Sequence, residues 1–299
     1  MMWAIGLAVL GTALPAGAEV RYRLQPSLRL GASWGSDLFL GADIGQSLQG
    51  QLVPALAMDL SVSPRVKLFG SYECALGLYQ ATLGTSVSND LSLGTRIRLA
   101  KGLWAQVSVD GQAQDLSVSQ AVGDVVGLQA SRTLGASANP GLRWWVGQFL
   151  LELFGSFGYR HLLLETGEPV DDRSAAGVLS VGAGLGPMWV SLALRGVTER
   201  SDVPGFSYDG GSASLSVGAT LGGVVALRLS GSAYRNVFEQ GGREDWLVRA
   251  AFAPSVRVVE GVWIEASYGY AINFSNDATF DACRHFVYLG IRVERAWRN

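Results

Sequence analysis

Two histidines, His161 and His285, and two cysteines, Cys74 and Cys283, are all the imidazole and thiol that this chain of 299 residues offers for chemistry. Two imidazoles are too few for most metal clusters and leave little for proton transfer, which relies on histidine above other side chains. The nearest approach to a reactive arrangement is Asp171-Asp172, which follows His161 by ten residues. Acidic pairs of this kind are usually solvated, or hold Ca²⁺ weakly through oxygen ligands. No G-x-S-x-G, H-E-x-x-H, C-x-x-C or phosphate-loop pattern occurs. No catalytic residue, metal site or cofactor is expected.

What would position these few residues is an alternation repeated along the chain. In the last quarter it reads Val225, Leu227, Leu229; Trp246, Val248, Ala250, Phe252; Val262, Ile264, Ala266, Tyr268, Tyr270, Ile272, Phe274; and Val287, Leu289, Ile291, Val293. Between them stand Arg228, Ser230, Arg249, Ser255, Arg257, Glu265, Ser267, Arg292 and Glu294. Side chains of a strand point to opposite faces with period two, so each run has one apolar and one polar face. Only 16% of residues are charged, too few to coat the outside of a water-soluble barrel of this length. The apolar face is therefore expected to point into lipid. Only helices and closed barrels satisfy every backbone N–H and C=O inside a bilayer, and no segment after residue 20 approaches the ~20 apolar residues of a spanning helix. The expected fold is all-β: a transmembrane antiparallel up-and-down β-barrel.

Strand by strand, the alternation predicts spans of 21–34, 48–61, 65–79, 90–100, 103–113, 126–139, 148–163, 175–186, 188–198, 211–222, 224–236, 245–259, 262–274 and 283–297. Fourteen strands fit the even count of bacterial barrels, and twelve or sixteen also would. Short connections contain Ser63-Pro64, Lys101-Gly102, Asn139-Pro140-Gly141, Gly186-Pro187, Gly222-Gly223 and Glu260-Gly261, all with turn chemistry. The long connections hold 17 of the 25 acidic residues, with a residue of slack at each end, and only Arg173, Arg200 and Arg243 among the basic ones. Acidic loops thus stand at one end and short turns at the other.

Parity puts Arg29, Lys67, Glu73, Arg96, Arg98, Asp110, Glu152, Arg195, Arg228, Arg249, Arg257, Glu265 and Arg292 on the polar face, where they would line a lumen. On the lipid face each cation would cost roughly 2–4 kcal/mol at the midplane. Arg132 is the exception, because it shares the parity of Leu128 and Leu134. Aromatics near strand ends, among them Tyr22, Trp34, Trp144, Tyr159, Trp189, Trp246, Trp263 and Trp297, are expected to form interfacial girdles. His161 and His285 share the outward parity. Cys74 and Cys283 fall three strands apart in a closed ring, about 14 Å, beyond the ~7 Å that a disulfide bridges, so both thiols are expected to be free.

Residues 1–18 carry no charge, and Ala4–Leu14 is an apolar run followed by Pro15 and Ala16-Gly17-Ala18. This reads as a secretory signal cleaved before Glu19, leaving 19–299 as the barrel domain. The last strand keeps its alternation up to Trp297, as in barrels whose final strand is read by the assembly machinery.

The segment from Arg243-Glu244-Asp245-Trp246 to Val293, with Gly269-Tyr270, Asn273, Ser275-Asn276-Asp277, Phe280-Asp281, Arg284-His285 and Leu289-Gly290, resembles the last hairpins of porin-like bacterial outer-membrane proteins. The match covers about a fifth of the chain. It implies a barrel in the outer membrane of a Gram-negative bacterium, in contact with outer-membrane lipids. Three functions follow as expectations: a small-solute channel whose Arg-rich wall favours anions; a non-conducting structural or export component, its lumen filled by pairs such as Arg96 or Arg98 with Glu73 or Asp110 and its loops or turns bound to a periplasmic or secreted partner; and, least favoured, a barrel lipase or protease built on His161 or His285. Nucleic acid is not expected as a partner.

Overall fold

Alternation in the sequence becomes a single sheet that closes on itself. The computed structural model describes residues 21–36, 46–79, 84–122, 125–164, 169–203, 205–277 and 282–298. The expected signal segment 1–18 lies outside them. The strands are β1 (Arg21–Ser36), β2 (Gln46–Ser61), β3 (Val66–Tyr79), β4 (Gly84–Ala100), β5 (Leu103–Val122), β6 (Val125–Val146) and β7 (Phe149–Leu164), then β8 (Val170–Leu185), β9 (Met188–Ser201), β10 (Tyr208–Leu221), β11 (Val225–Phe238), β12 (Glu244–Val259), β13 (Val262–Ser275), β14 (Ala282–Glu294) and the two-residue β15 (Trp297–Arg298). From β1 to β14 each strand pairs antiparallel with its sequence neighbour, β14 returns to β1 from Ser27↔Glu294 to Gly35↔Phe286, and β15 pairs with β1 at Arg23↔Arg298. Fourteen strands spaced ~4.8 Å apart and tilted ~40° give a backbone cylinder roughly 28 Å across.

The cylinder is inside out relative to a soluble domain. Val53 and Phe238 are the buried hydrophobic side chains among the described residues, whereas Leu30, Leu78, Val109, Leu153, Phe157, Leu229 and Leu289 are more than half exposed. The apolar stripe thus covers the outside, and the opposite face of each strand carries the polar set.

Four of the expected turns carry a glycine in the left-handed region: Gly102 (φ 77°), Gly186 (φ 65°), Gly222 (φ 57°) and Gly261 (φ 78°). Ser63-Pro64 likewise lies between β2 and β3, and the sixth is a correction. Asn139-Pro140-Gly141 is no turn but lies inside β6, and the reversal falls at Gly147 (φ 61°) and Gln148. Pro140 has no N–H, and the β6–β7 ladder is interrupted there, between Ala138↔Phe157 and Gly141↔Phe154. A barrel strand absorbs the lost bond because the other edge of Pro140 stays in register with Val107.

Several strands also run further toward the loop end than the hydropathy predicted. β4 starts at Gly84 rather than 90, β5 continues to Val122, and β8 starts at Val170, while β6 is longer at its turn end and runs to Val146. Alternation of apolar residues reports only the lipid-facing length, whereas backbone pairing continues past it. Asp171, Asp172, Asp209, Glu244 and Asp245, expected in loops, therefore stand on strands.

Candidate functional site: the inner wall

At the turn end the inner face is a belt of cations seated on aromatic rings. Register puts Lys67 opposite Arg96, and their neighbours Phe69 and Trp104 share that face. Arg96 lies 4.3 Å over Phe69, and Lys67 lies 5.3 Å over Trp104. Around the ring, Arg228 covers Trp189 at 5.7 Å, while Arg257 and Arg292 cover Trp263 at 5.9 and 5.4 Å. A partly desolvated cation above a ring face gains ~0.5–2 kcal/mol. Trp189 and Trp263 thus correct the sequence expectation: they belong to this inner belt rather than to an outer girdle. The signal lay in their parity, since Trp263 shares a face with Glu265 and not with Ile264.

Carboxylates knit the belt into the wall. Arg143 on β6 meets Glu152 on β7 at 2.5 Å, and Ser180 on β8 donates to the same carboxylate at 2.9 Å. Glu265 is shared by Arg29 (3.2 Å) and Arg292 (2.6 Å), and Arg292 also contacts Glu294. The Arg29–Glu265 pair spans β14, where Gly290 has no side chain to obstruct it. Arg98 donates to the Ala100 carbonyl at 3.4 Å.

Further toward the loop end the charge changes sign along one arc. Glu73, Asp90, Asp110, Asp172 and Glu199, from β3, β4, β5, β8 and β9, surround a cavity of about 600 Å³ with Arg160 as its one cation. Arg160 donates to Asp172 and, at 2.8 Å, to Glu199, and Tyr208 adds a hydrogen bond to Glu199 at 2.9 Å. Asn139 donates to Asp110. Beyond the arc the inner face is basic again: Arg195 on β9 stands opposite Ser212, Arg249 on β12 lies 5.3 Å from the Tyr234 ring, and β1 carries Arg29.

The expected pairing of Arg96 or Arg98 with Glu73 or Asp110 does not form, and distance along the strands explains why. Lys67 faces Arg96, so Glu73 is six positions, about 20 Å, from that rung, while Asp110 pairs with Ser92, four positions or about 13 Å away. Arg96 instead donates to Gln106 at 2.8 Å. Sequence reasoning missed Arg143, Asp172 and Glu199, because the turn misplaced at Pro140 and the truncated β8 and β9 left them without a parity; Arg160 was passed over although it shares the parity of Glu152 within the predicted span 148–163.

The outer face carries its own ion pairs, and those among the described residues stand near the loop end. Arg132 points outward, as its parity requires, and pairs with Asp115 at 2.6 Å. Twelve residues separate Arg132 from the Trp144 rung, about 30 Å of height at a 40° tilt, beyond the ~25 Å apolar band of a barrel. His161 Nδ1 lies 2.5 Å from Asp171, which also accepts from Tyr159 at 2.7 Å. Arg200 pairs with Asp209 at 3.1 Å, and Arg235 with Glu244 at 2.7 Å. Cys74 and Cys283 are both free.

Comparison with known proteins agrees with this geometry at the level of fold. No protein-family model matches the chain, and no curated protein is similar to it in sequence. Among solved structures, it is similar to the toluene transporter TodX of Pseudomonas putida, with a TM-score of 0.53 and 10% identity over 97% of this chain and 92% of that one. The CymD monoaromatic hydrocarbon channel gives a TM-score of 0.56 and 10% identity over 92% of this chain and 88% of that one. OmpT, an outer membrane protein of Vibrio cholerae, in a form lacking loop L8, gives 0.50 and 9% over 92% and 99%. At such identities the likeness defines a class of architecture: the closed antiparallel barrel of bacterial outer-membrane proteins.

Proposed function

We propose that this protein is a channel for small solutes in the outer membrane of a Gram-negative bacterium and not an enzyme. The observation that carries this reading is the direction of the ion pairs. Among the described side chains, the inner-face pairs join the same strand or strands at most two apart: Arg143–Glu152, Arg29–Glu265–Arg292 and Arg160–Asp172–Glu199. These pairs brace the wall, and among the described side chains none reaches across the axis, as the pairs of a lumen closed by its own charges would. Exposed apolar residues all around the outside, and structural neighbours that include two hydrocarbon transporters, support the membrane setting.

The inner face sets a modest anion preference. Arg21, Arg23, Arg29, Lys67, Arg96, Arg98, Arg143, Arg160, Arg195, Arg228, Arg249, Arg257, Arg284 and Arg292 lie on it, against Asp59, Glu73, Asp90, Asp110, Glu152, Asp172, Glu199, Asp245, Glu265 and Glu294, which is fourteen cations to ten carboxylates. Fixed charge in a low-dielectric passage concentrates counter-ions, so anions enter more readily at the basic mouth. The acidic arc keeps the selectivity small. The lumen-lining role of Arg29, Lys67, Arg96, Arg98, Arg195, Arg228, Arg249, Arg257 and Arg292 belongs to this proposal. Planar-bilayer recording of the refolded protein tests it. A reversal potential in a KCl gradient that corresponds to anion permeation is expected. Cation preference overturns the selectivity, and absence of conductance overturns the channel.

A further inference from the structure

On the outer face of β13 and β14, near the loop end, one of the two cysteines meets one of the two histidines of the chain. Cys283 and His285 are two residues apart on β14 and share its outward face, and both are exposed. His285 sits opposite Tyr270 and Cys283 opposite Ile272. The imidazole is held on three sides: its Nδ1 lies 2.8 Å from the Tyr268 hydroxyl, and its ring is 4.9 Å from Tyr270 and 6.1 Å from Tyr268. With Nδ1 so engaged, Nε2 turns toward Cys283, where Sγ stands 3.8 Å away. The thiol has one further contact, to the Tyr270 hydroxyl at 3.4 Å.

We propose that Cys283 and His285 form a binding site for a thiophilic d¹⁰ cation, Cu⁺ or Zn²⁺. A thiolate binds such an ion at about 2.3 Å and an imidazole nitrogen at about 2.0–2.1 Å, so sulfur and nitrogen 3.8 Å apart correspond to a ligand–metal–ligand angle of roughly 120°. That angle is the trigonal one, and the distance between the two ligand atoms already matches it. Thiolate and imidazole together select Cu⁺ and Zn²⁺ over the hard cations Mg²⁺ and Ca²⁺, which take oxygen. The Tyr268 hydroxyl supplies what ligating histidines usually have, a partner on the other ring nitrogen. In the tautomer with hydrogen on Nδ1 the Tyr268 hydroxyl accepts that hydrogen, and Nε2 is the ligating atom. Binding releases the thiol proton to solvent and breaks the contact to Tyr270. Exposure leaves the remaining coordination positions to water.

Height makes the site reachable. Cys283 is eleven residues from the turn end of β14 at Glu294, about 28 Å of height at a 40° tilt, against an apolar band of ~25 Å. The pair therefore stands at the aqueous edge of the outer face, and its chemistry is independent of whether the lumen conducts.

The test is competition titration of the folded barrel in detergent, in a Cys74→Ser background, with Cu⁺ under anaerobic conditions and with Zn²⁺, each against a chromophoric chelator. One equivalent is expected, with a sulfur-to-metal charge-transfer band for Cu⁺ in the ultraviolet. Cys283→Ser, or alkylation of Cys283 after folding, should abolish the band and weaken binding at least 100-fold. His285→Gln should weaken it about 10- to 100-fold, and Tyr268→Phe by a smaller factor within that range. Equal affinity in His285→Gln would reduce the site to a bare thiol and overturn the proposal. So would an unchanged Cys283→Ser protein, or a wild-type barrel that binds neither ion. Heat-modified gel migration establishes that each variant is folded, and the alkylated protein keeps the outcome decisive if a substitution prevents folding.

Discussion

The ring of Phe286 on β14 lies flat across Gly269 on β13, so close that a Cβ at position 269 would overlap it. The same device recurs on the inner wall with Phe69 over Gly94, Phe154 over Gly141, Trp189 over Gly218, and Tyr288 over Gly31 and Gly290. Each glycine makes a recess in which a ring is stowed against the wall rather than projecting into the lumen.

Filling a recess should therefore displace its ring. Gly269→Val is expected to destabilise the folded barrel by about 1–3 kcal/mol, the usual range for overpacking. Denaturant unfolding of the refolded protein measures it. Adding Phe286→Ala should recover part of the loss, because the two residues are in contact and their effects are not additive. A Gly269→Val effect unaltered by Phe286→Ala would show that the ring is not what the new side chain meets.

Strand parity predicts opposite outcomes for neighbouring positions. Leu93 is 46% exposed on the outer face, seven residues from the end of β4, near the middle of the apolar band. Leu93→Arg should cost about 2–4 kcal/mol in a lipid environment. Ser92→Arg, one residue away on the inner face, should change stability by less than about 1 kcal/mol. Equal penalties, read from unfolding in liposomes, would refute the assignment of faces.

The Arg143–Glu152 pair is about three-quarters or more shielded, with side-chain exposures of 28% and 19%. Removing either partner strands the other in a wall with few alternatives. Each single alanine variant is expected to lose about 1–3 kcal/mol, less than for a fully buried pair because the lumen side is wetted. The double variant should lose less than the sum, and a full additive loss would show that the pair does not couple.

Selectivity should follow the two charged zones. Glu73→Gln with Asp90→Asn and Asp110→Asn removes three charges beside the 600 Å³ cavity and should raise the anion-to-cation permeability ratio. Arg228→Gln with Arg257→Gln, which empties part of the basic mouth, should lower it. Reversal potentials in a KCl gradient distinguish the two, and shifts in the same direction would exclude electrostatic control.

The architecture was legible in the sequence because two-residue alternation is strict wherever one face meets hydrocarbon. It identified the turns at Gly102, Gly186 and Gly261, the outward parity of Arg132 and the pairing distance that keeps Cys74 from Cys283. It failed where backbone hydrogen bonding rather than hydropathy decides. Pro140 has the composition of a turn but sits within β6, and the strand ends that carry Asp171, Asp172 and Asp209 extend beyond the apolar stripe. The inner wall was read as a set of positions, without its partners. The sharing of Glu265 by Arg29 and Arg292 depends on register across three strands, which no single run of residues contains.

The bridges Arg132–Asp115, Arg200–Asp209 and Arg235–Glu244 decorate only one rim of the exterior. Once that rim has crossed a bilayer, withdrawal would drag three bonded ions and their counterparts back through oil. Such a cylinder is a one-way rivet: its polar head holds it against slipping inward.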